Sequence, residues 1–147
     1  MWMSEIAERS VLEAMKGLKV TFRASRVNDE PQDPTEHQKY PCMVINAGSG
    51  RKQNDVDGFY DVPCAVQLVT IIEDDEKRTI LTGLEEEFRD IIDVNLTMQA
   101  AWEAVRDGSS WYYKLIVDTE GSPVEFDGNK QMITYSMTFK VCGSITA

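Results

Sequence analysis

Val62-Pro63-Cys64-Ala65-Val66-Gln67-Leu68-Val69-Thr70-Ile71-Ile72, followed directly by the charged and then amphipathic run from Glu73 to Asp93, decides the fold. In the first part Val62, Cys64, Val66 and Leu68 alternate with Ala65, Val69 and Ile71. Successive strand side chains point to opposite faces, so both faces of this segment are apolar. Such a strand belongs in the middle of a sheet and is expected to be covered on both sides. In the second part Ile80, Leu81, Leu84, Phe88, Ile91 and Ile92 fall at helical spacing and form one apolar stripe. Asp74 or Asp75 can cap that helix, within the acidic run Glu73 to Glu76 that suits a helix start. Glu85 and Arg89 stand four apart in the favourable order, a contribution of about 0.3 kcal/mol. Gly83 weakens the helix by about 1 kcal/mol relative to alanine and is read as a point of close packing on the sheet.

The remaining elements follow on either side. Residues 4–17 read as a helix with Ser4 as N-cap, Ala7, Val11, Ala14 or Met15, and Leu18 at helical spacing, and Gly17 as its stop. Lys19 to Arg26 alternates like a strand with one wet face. Val27 to Lys39, with Pro31 and Pro34, is a polar loop. Tyr40 to Ala47 is a second strand with Pro41 near its start, where proline is tolerated. Gly48 to Asp61 is a long polar connector. Beyond the central helix, Asn95 reads as a break, and Thr97 to Asp107 as a shorter helix with Met98, Ala101, Trp102 and Val105 inward. Trp111 to Asp118 is a strand and Thr119 to Lys130 a turn region. The last strand, Gln131 to Val141, sets Ile133, Tyr135, Met137, Phe139 and Val141 against Met132, Thr134, Ser136, Thr138 and Lys140. The fold class is therefore α+β: a mainly antiparallel sheet of about five strands with an N-terminal helix and a long amphipathic helix packed on it. At 147 residues this is read as one domain, 1–147.

Composition narrows the function. The net charge of -10 is the reverse of what gripping phosphates needs, so sequence-independent affinity for DNA is not expected. A hydrophobic share of 42% suits a packed interior, and no apolar run approaches the ~20 residues of a membrane helix. The opening Met1-Trp2-Met3-Ser4-Glu5 lacks the layout of a signal peptide, which points to folding in the cytosol. Cys42, Cys64 and Cys142 lie in apolar runs and read as buried thiols rather than a disulfide framework or a zinc site.

Each motif that could carry chemistry has a plainer reading. Gly48-Ser49-Gly50-Arg51-Lys52 lacks the spacing of a phosphate loop. Asp55-Val56-Asp57-Gly58 is half of a calcium loop, and the twelfth position from Asp55 is Val66, not glutamate. His37 lies in the proline-flanked loop with no partner pattern for nucleophilic catalysis. Three adjacent aromatics, Trp111, Tyr112 and Tyr113, must face both sides of a strand, so at least one is covered by a helix or left for a partner. Trp2 poses the same question. No catalytic residue, metal ligand or cofactor is expected.

The order of elements, with the strand opening Tyr40-Pro41-Cys42-Met43-Val44-Ile45, the long loop after it, the apolar strand at 62–72 and the amphipathic helix, resembles the tail terminator and tail-completion proteins of long-tailed bacteriophages. The resemblance spans nearly the whole chain and rests on pattern, without an invariant motif. It implies a non-enzymatic virion protein of the tail–neck junction, assembled in the host cytoplasm. Its protomers would close into a ring, typically a homohexamer, that caps the tail tube and ends its polymerisation. The partners implied are a second copy, the tail tube protein and the head–tail connector protein, with genome DNA passing through the lumen unbound and no membrane involved. The family's ring contacts map to 27–39 and 48–61. Within these, Arg51, Lys52, Asp55, Asp57 and Asp61 could reach a neighbour through opposite charges, and Trp111 is a further candidate interface residue. Another head–tail connector or completion ring, and a small regulatory ligand-binding domain with 48–61 as a lid, are the alternatives.

Overall fold

The computed structural model describes residues 2–27, 39–53, 56–106, 110–119 and 123–143, with the side chains of Val56, Asp57, Ser110, Tyr113, Asp118 and Thr119 outside that description. The strand at 62–72 is its middle, and it is longer than the sequence pattern suggested. In chain order the elements are α1 (Met3–Ala14), β1 (Phe22–Ala24), β2 (Cys42–Ala47), β3 (Arg51–Gln53), β4 (Val56–Ile71), α2 (Thr79–Ile92), α3 (Asn95–Val105), β5 (Ser110–Thr119), β6 (Glu125–Asp127) and β7 (Lys130–Gly143). The architecture is α+β, with these three helices and one mixed sheet.

Five strands run in the order β1-β2-β4-β7-β5, β3 pairs with β4, and β6 pairs with β7. β1 runs parallel to β2, and the other five pairings are antiparallel. The spine is the β4–β7 ladder, in register from Phe59 opposite Cys142 to Ile71 opposite Lys130. That ladder explains why the connector expected at 48–61 is largely strand. β7 offers unpaired backbone groups beyond Val62, and the alternation continues backwards through Asp61, Tyr60 and Phe59 to meet them. The turn region expected at 119–130 likewise contains β6, which closes on β7 at Asp127 opposite Lys130. Gly128, at φ 61°, takes a left-handed position between them that glycine occupies without strain.

All three helices contribute to one core on one side of the sheet. Met43, Ile45 and Ala47 of β2, Val62, Cys64, Val66 and Leu68 of β4, and Ile133, Tyr135, Met137, Phe139 and Val141 of β7 are buried there. Ile6, Ala7, Val11 and Met15 of α1 and its following turn, Leu81, Leu84 and Phe88 of α2, and Met98 and Trp102 of α3 cover them. Trp102 stacks against Tyr112 and Phe139 at ring separations of 6.2 and 5.5 Å, and Phe88 meets Tyr135 at 4.8 Å.

Several expectations are corrected. β4 is central, but among the described residues no helix lies on its second face, so it is covered on one side only. Val69 and Ile71 are nonetheless buried, while Ala65 is half-buried. α1 starts at Met3 with no side-chain cap, because Ser4 Oγ accepts a hydrogen bond from the Arg26 guanidinium at 3.1 Å instead of capping. The strand expected over 19–26 narrows to Phe22–Ala24, since Arg23 turns back to donate to the carbonyls of Met15 and Leu18 at 2.9 and 2.8 Å, satisfying the end of α1. The helical run does break just before Asn95, at Asp93 and Val94 between α2 and α3; Asn95 itself opens α3, and its Oδ1 accepts from the Tyr112 hydroxyl. Ile80 is 41% exposed and outside the buried stripe. Gly83 is exposed, and a Cβ there would meet nothing within 4 Å, so it is no packing contact. Cys42 and Cys64 are buried as read, whereas Cys142 is only half-buried, and all three are free thiols. His37, Pro31 and Pro34 lie outside the described residues, as do Asp55 and Asp107.

α2 is shorter than the run 73–93 because Asp75 acts from a distance. Ile72–Asp74 form a 3₁₀ turn, and the Asp75 carboxylate then accepts from the Ile80 and Leu81 amides at 2.9 and 3.0 Å. Thr70 Oγ1 donates to the same carboxylate at 3.2 Å, and Gln131 Nε2 donates to the Asp75 carbonyl at 2.7 Å. Thr70, Asp75 and Gln131 are all buried. This network ties α2 to β4 and β7. Asp75→Ala leaves the Ile80 and Leu81 amides and the Thr70 hydroxyl short of a partner, while Gln131 keeps the main-chain carbonyl, and the expected cost is about 2–3 kcal/mol in urea unfolding. Asp75→Asn, which keeps one acceptor, should recover part of it; a cost below about 0.5 kcal/mol for Asp75→Ala would mean that the helix is fixed by packing alone.

Candidate interaction surface

Strand register builds the site. Opposed residues in paired strands share a face, so the ladder can be read across the sheet row by row. Tyr60, Val141 and Tyr112 form an inward row and are buried. One step further along, Phe59, Cys142 and Trp111 form a row on the face away from the helices. Phe59 is 43% exposed and Trp111 49%, with the half-buried Cys142 between them. Two steps the other way, Arg51, Asp61, Lys140 and Lys114 form a second outward row across β3, β4, β7 and β5. A register shift between Tyr112 and Lys114 keeps Lys114 on this face.

Charges in this row are arranged in a definite way. Lys140 Nζ lies 2.7 Å from Asp61 Oδ1, both half-buried. Arg51 and Lys114, at the two ends of the row, are exposed. Arg51, Lys52, Gln53, Asp61 and Lys140 line one polar hollow. At the other end the Arg106 guanidinium stacks over the Trp111 ring, 3.5 Å from its centre. Nε and Nη1 of Arg106 are enclosed and, among the described residues, have no hydrogen-bond partner. A face with exposed aromatics and more cations than carboxylates, in a chain of net charge -10, can offer apolar contact and ionic pairing.

Arg51, Lys52 and Asp61, named from the sequence, are brought together here, and Trp111 stands on the same face one row away. Asp61 is not free to reach a neighbour as expected, because Lys140 occupies it within the chain. Asp55 and the Asp57 side chain lie outside the described residues. Of the three adjacent aromatics, Tyr112 is buried against Trp102 and Trp111 is exposed. Trp2 is 60% exposed beside a hollow lined by Ser4, Arg26 and Gly50. Phe59, Lys114, Lys140 and Arg106 were missed. Lys140 and Phe59 were legible in principle, from alternation in β7 and from the period-two run leading into Val62, but Lys114 needed the bulge.

Behind the surface lies an ion pair between a buried carboxylate and an exposed arginine. Glu8 is 1% exposed, and its carboxylate accepts from Arg26 Nε at 2.6 Å, from the Arg26 amide at 3.0 Å and from the Ala47 amide at 3.2 Å. Arg26 also donates to the Ala47 carbonyl. This pair joins α1 to the end of β2 and is structural: every oxygen of Glu8 is engaged. Among the described residues no cluster of three or more His, Cys, Asp or Glu could hold a metal ion. No described helix is long and apolar enough to cross a membrane. No protein-family model matches the sequence, and no curated protein matches it.

Proposed function

We propose that this chain is a virion structural protein of a phage tail–neck junction, whose copies close into a ring that caps the tail tube, ends its polymerisation and joins the tail to the head connector, with DNA passing through the lumen. The fold that accompanies this reading is a mainly antiparallel sheet with the N-terminal helix and a long amphipathic helix on one side. The observation that carries it is the open sheet face, where Phe59 and Trp111 stand 43% and 49% exposed beside the row Arg51–Asp61–Lys140–Lys114. Large exposed aromatics grouped on one face mark a surface that another protein covers. Among the described residues the outer edge of β5 is also without a partner strand, a second feature that suits assembly.

Light scattering with negative-stain imaging tests the reading. Closed rings of several chains are expected. A single-chain mass at high concentration, with no rings in the images, would remove it. A regulatory ligand-binding domain is favoured by the hollow beside Tyr40, Cys42, Val44 and Met132, but at about 250 Å³ it is smaller than the usual ligand site. A thermal shift on screening small molecules would support that second reading instead.

A further inference from the structure

We infer that the row Arg51–Asp61–Lys140–Lys114, with Trp111 beside it, docks the acidic outer stripe of α2 from a second copy of this chain. The inference rests on the ring reading and names its contact. α2 buries Leu81, Leu84, Phe88 and Ile92 toward the sheet. Its opposite side presents Glu86 and Asp90, continued by Asp93 just past the helix end, all exposed. These carboxylates follow an i, i+4, i+7 spacing and form one line. The only basic residue in the last turn, Arg89, is already paired with Glu85 at 2.9 Å. Like charges four apart repel, and carboxylates near a helix C-terminus face the negative end of the dipole, so this line is unfavourable within the free chain. An opposing cationic surface relieves both effects.

The fold places the two surfaces on opposite sides. The cationic row lies on the sheet face away from the helices, and the acidic stripe lies on the helix side away from the sheet. One copy cannot bring its own two surfaces together. Two copies related by a two-fold axis would present like charge to like charge. The favourable contact is head-to-tail, with each copy giving its sheet face and receiving on its helix face. Repetition of such a contact closes into a ring when the rotation per step divides a full turn, and runs on as a filament otherwise. Both surfaces are exposed, so the contact weakens as salt screens it.

Charge reversal on the full chain tests this, with mass read by light scattering at low and high salt. Arg51→Glu with Lys114→Glu should leave single chains where the unaltered protein assembles. Glu86→Lys with Asp90→Lys should do the same. The chain carrying all four substitutions has both surfaces inverted and should assemble again, which also shows that the substitutions leave the fold intact. If the unaltered protein assembles and each reversed pair assembles equally well, the contact is elsewhere and the ring reading stands without it. If the unaltered protein is a single chain under all conditions, the ring reading falls and this inference with it. If only the Arg51/Lys114 pair matters, and a short oligothymidine binds the unaltered chain but not that variant, the cationic row serves nucleic acid and the inference is overturned.

Discussion

Trp102→Ala is expected to cost about 4 kcal/mol in unfolding free energy, close to the upper range for a core truncation. Trp102 is 0% exposed and is the largest of the fully buried side chains. A buried tryptophan hides roughly 200 Å² of surface, and at about 25 cal/mol per Å² that alone approaches 5 kcal/mol as an upper bound. Its ring fills the space between Tyr112 of β5 and Phe139 of β7, so truncation leaves a cavity walled by two rigid rings that collapse poorly. For a chain of this length the midpoint temperature should fall by about 8–16 °C. The loss is measured by far-ultraviolet circular dichroism in urea. Trp102→Phe, which keeps an aromatic ring, should cost less than half as much. A Trp102→Ala protein with an unchanged midpoint would mean that α3 is not part of the cooperative unit.

The same substitution should reach the outer face. Tyr112 is the strand neighbour of Trp111, and Arg106 follows directly after α3 to stack on Trp111. A core that no longer holds α3 against β5 cannot hold Arg106 over that ring. If copies assemble through this face as proposed, assembly should therefore weaken in Trp102→Ala at temperatures where its secondary structure is intact.

Most of the core was legible because it depends on spacing alone. Val62, Cys64, Val66 and Leu68, the five inward residues from Ile133 to Val141, and Met98, Ala101 and Trp102 all face inward as their periodicity requires. What failed depended on partners distant in the sequence. Phe59 was hidden in a supposed connector because its strand character comes from β7, some eighty residues later. Lys19 to Arg26 read as a strand with one wet face, while within it the Arg23 guanidinium closes the end of α1. Asp75 was legible as a cap, but its hold on Gln131 was not. Both apolar faces of β4 suggested two covering layers, yet neighbouring side chains alone can bury Val69. The candidate surface was half legible for the same reason: Arg51, Lys52, Asp61 and Trp111 carry visible chemistry, but only strand register shows that Lys140 neutralises Asp61 and that Lys114 completes the row.

Alkaline pH is expected to unfold this protein between about pH 10 and 12. Three buried acids keep their protons in the folded chain. Burial pushes the Cys64 thiol up to about 12, with the Glu8 carboxylate adding to the shift and Arg26 opposing it. Burial raises Tyr112 to about 12 as well, against a smaller lowering by the backbone at Leu115. Tyr135 also rises to about 12, first through burial and then through the Glu85 carboxylate, with Arg89 acting the other way. In the unfolded chain a cysteine ionises near pH ~8.5 and a tyrosine near ~10. From there to about 12 the unfolded state releases protons that the folded state retains. The folded state then binds more protons, so unfolding free energy falls as pH rises. Stability from these groups is complete below about pH 8.5 and is lost as pH climbs through 12. Each group lowers the unfolding free energy further with every pH unit once its unfolded form ionises, so the loss steepens as pH rises. Absorbance of tyrosinate should show Tyr112 and Tyr135 ionising together with the loss of helical signal. Tyr135→Phe removes one of the three groups and should move the unfolding midpoint to higher pH. Smooth titration of every tyrosine while the helical signal persists would show that neither hydroxyl is held by the fold.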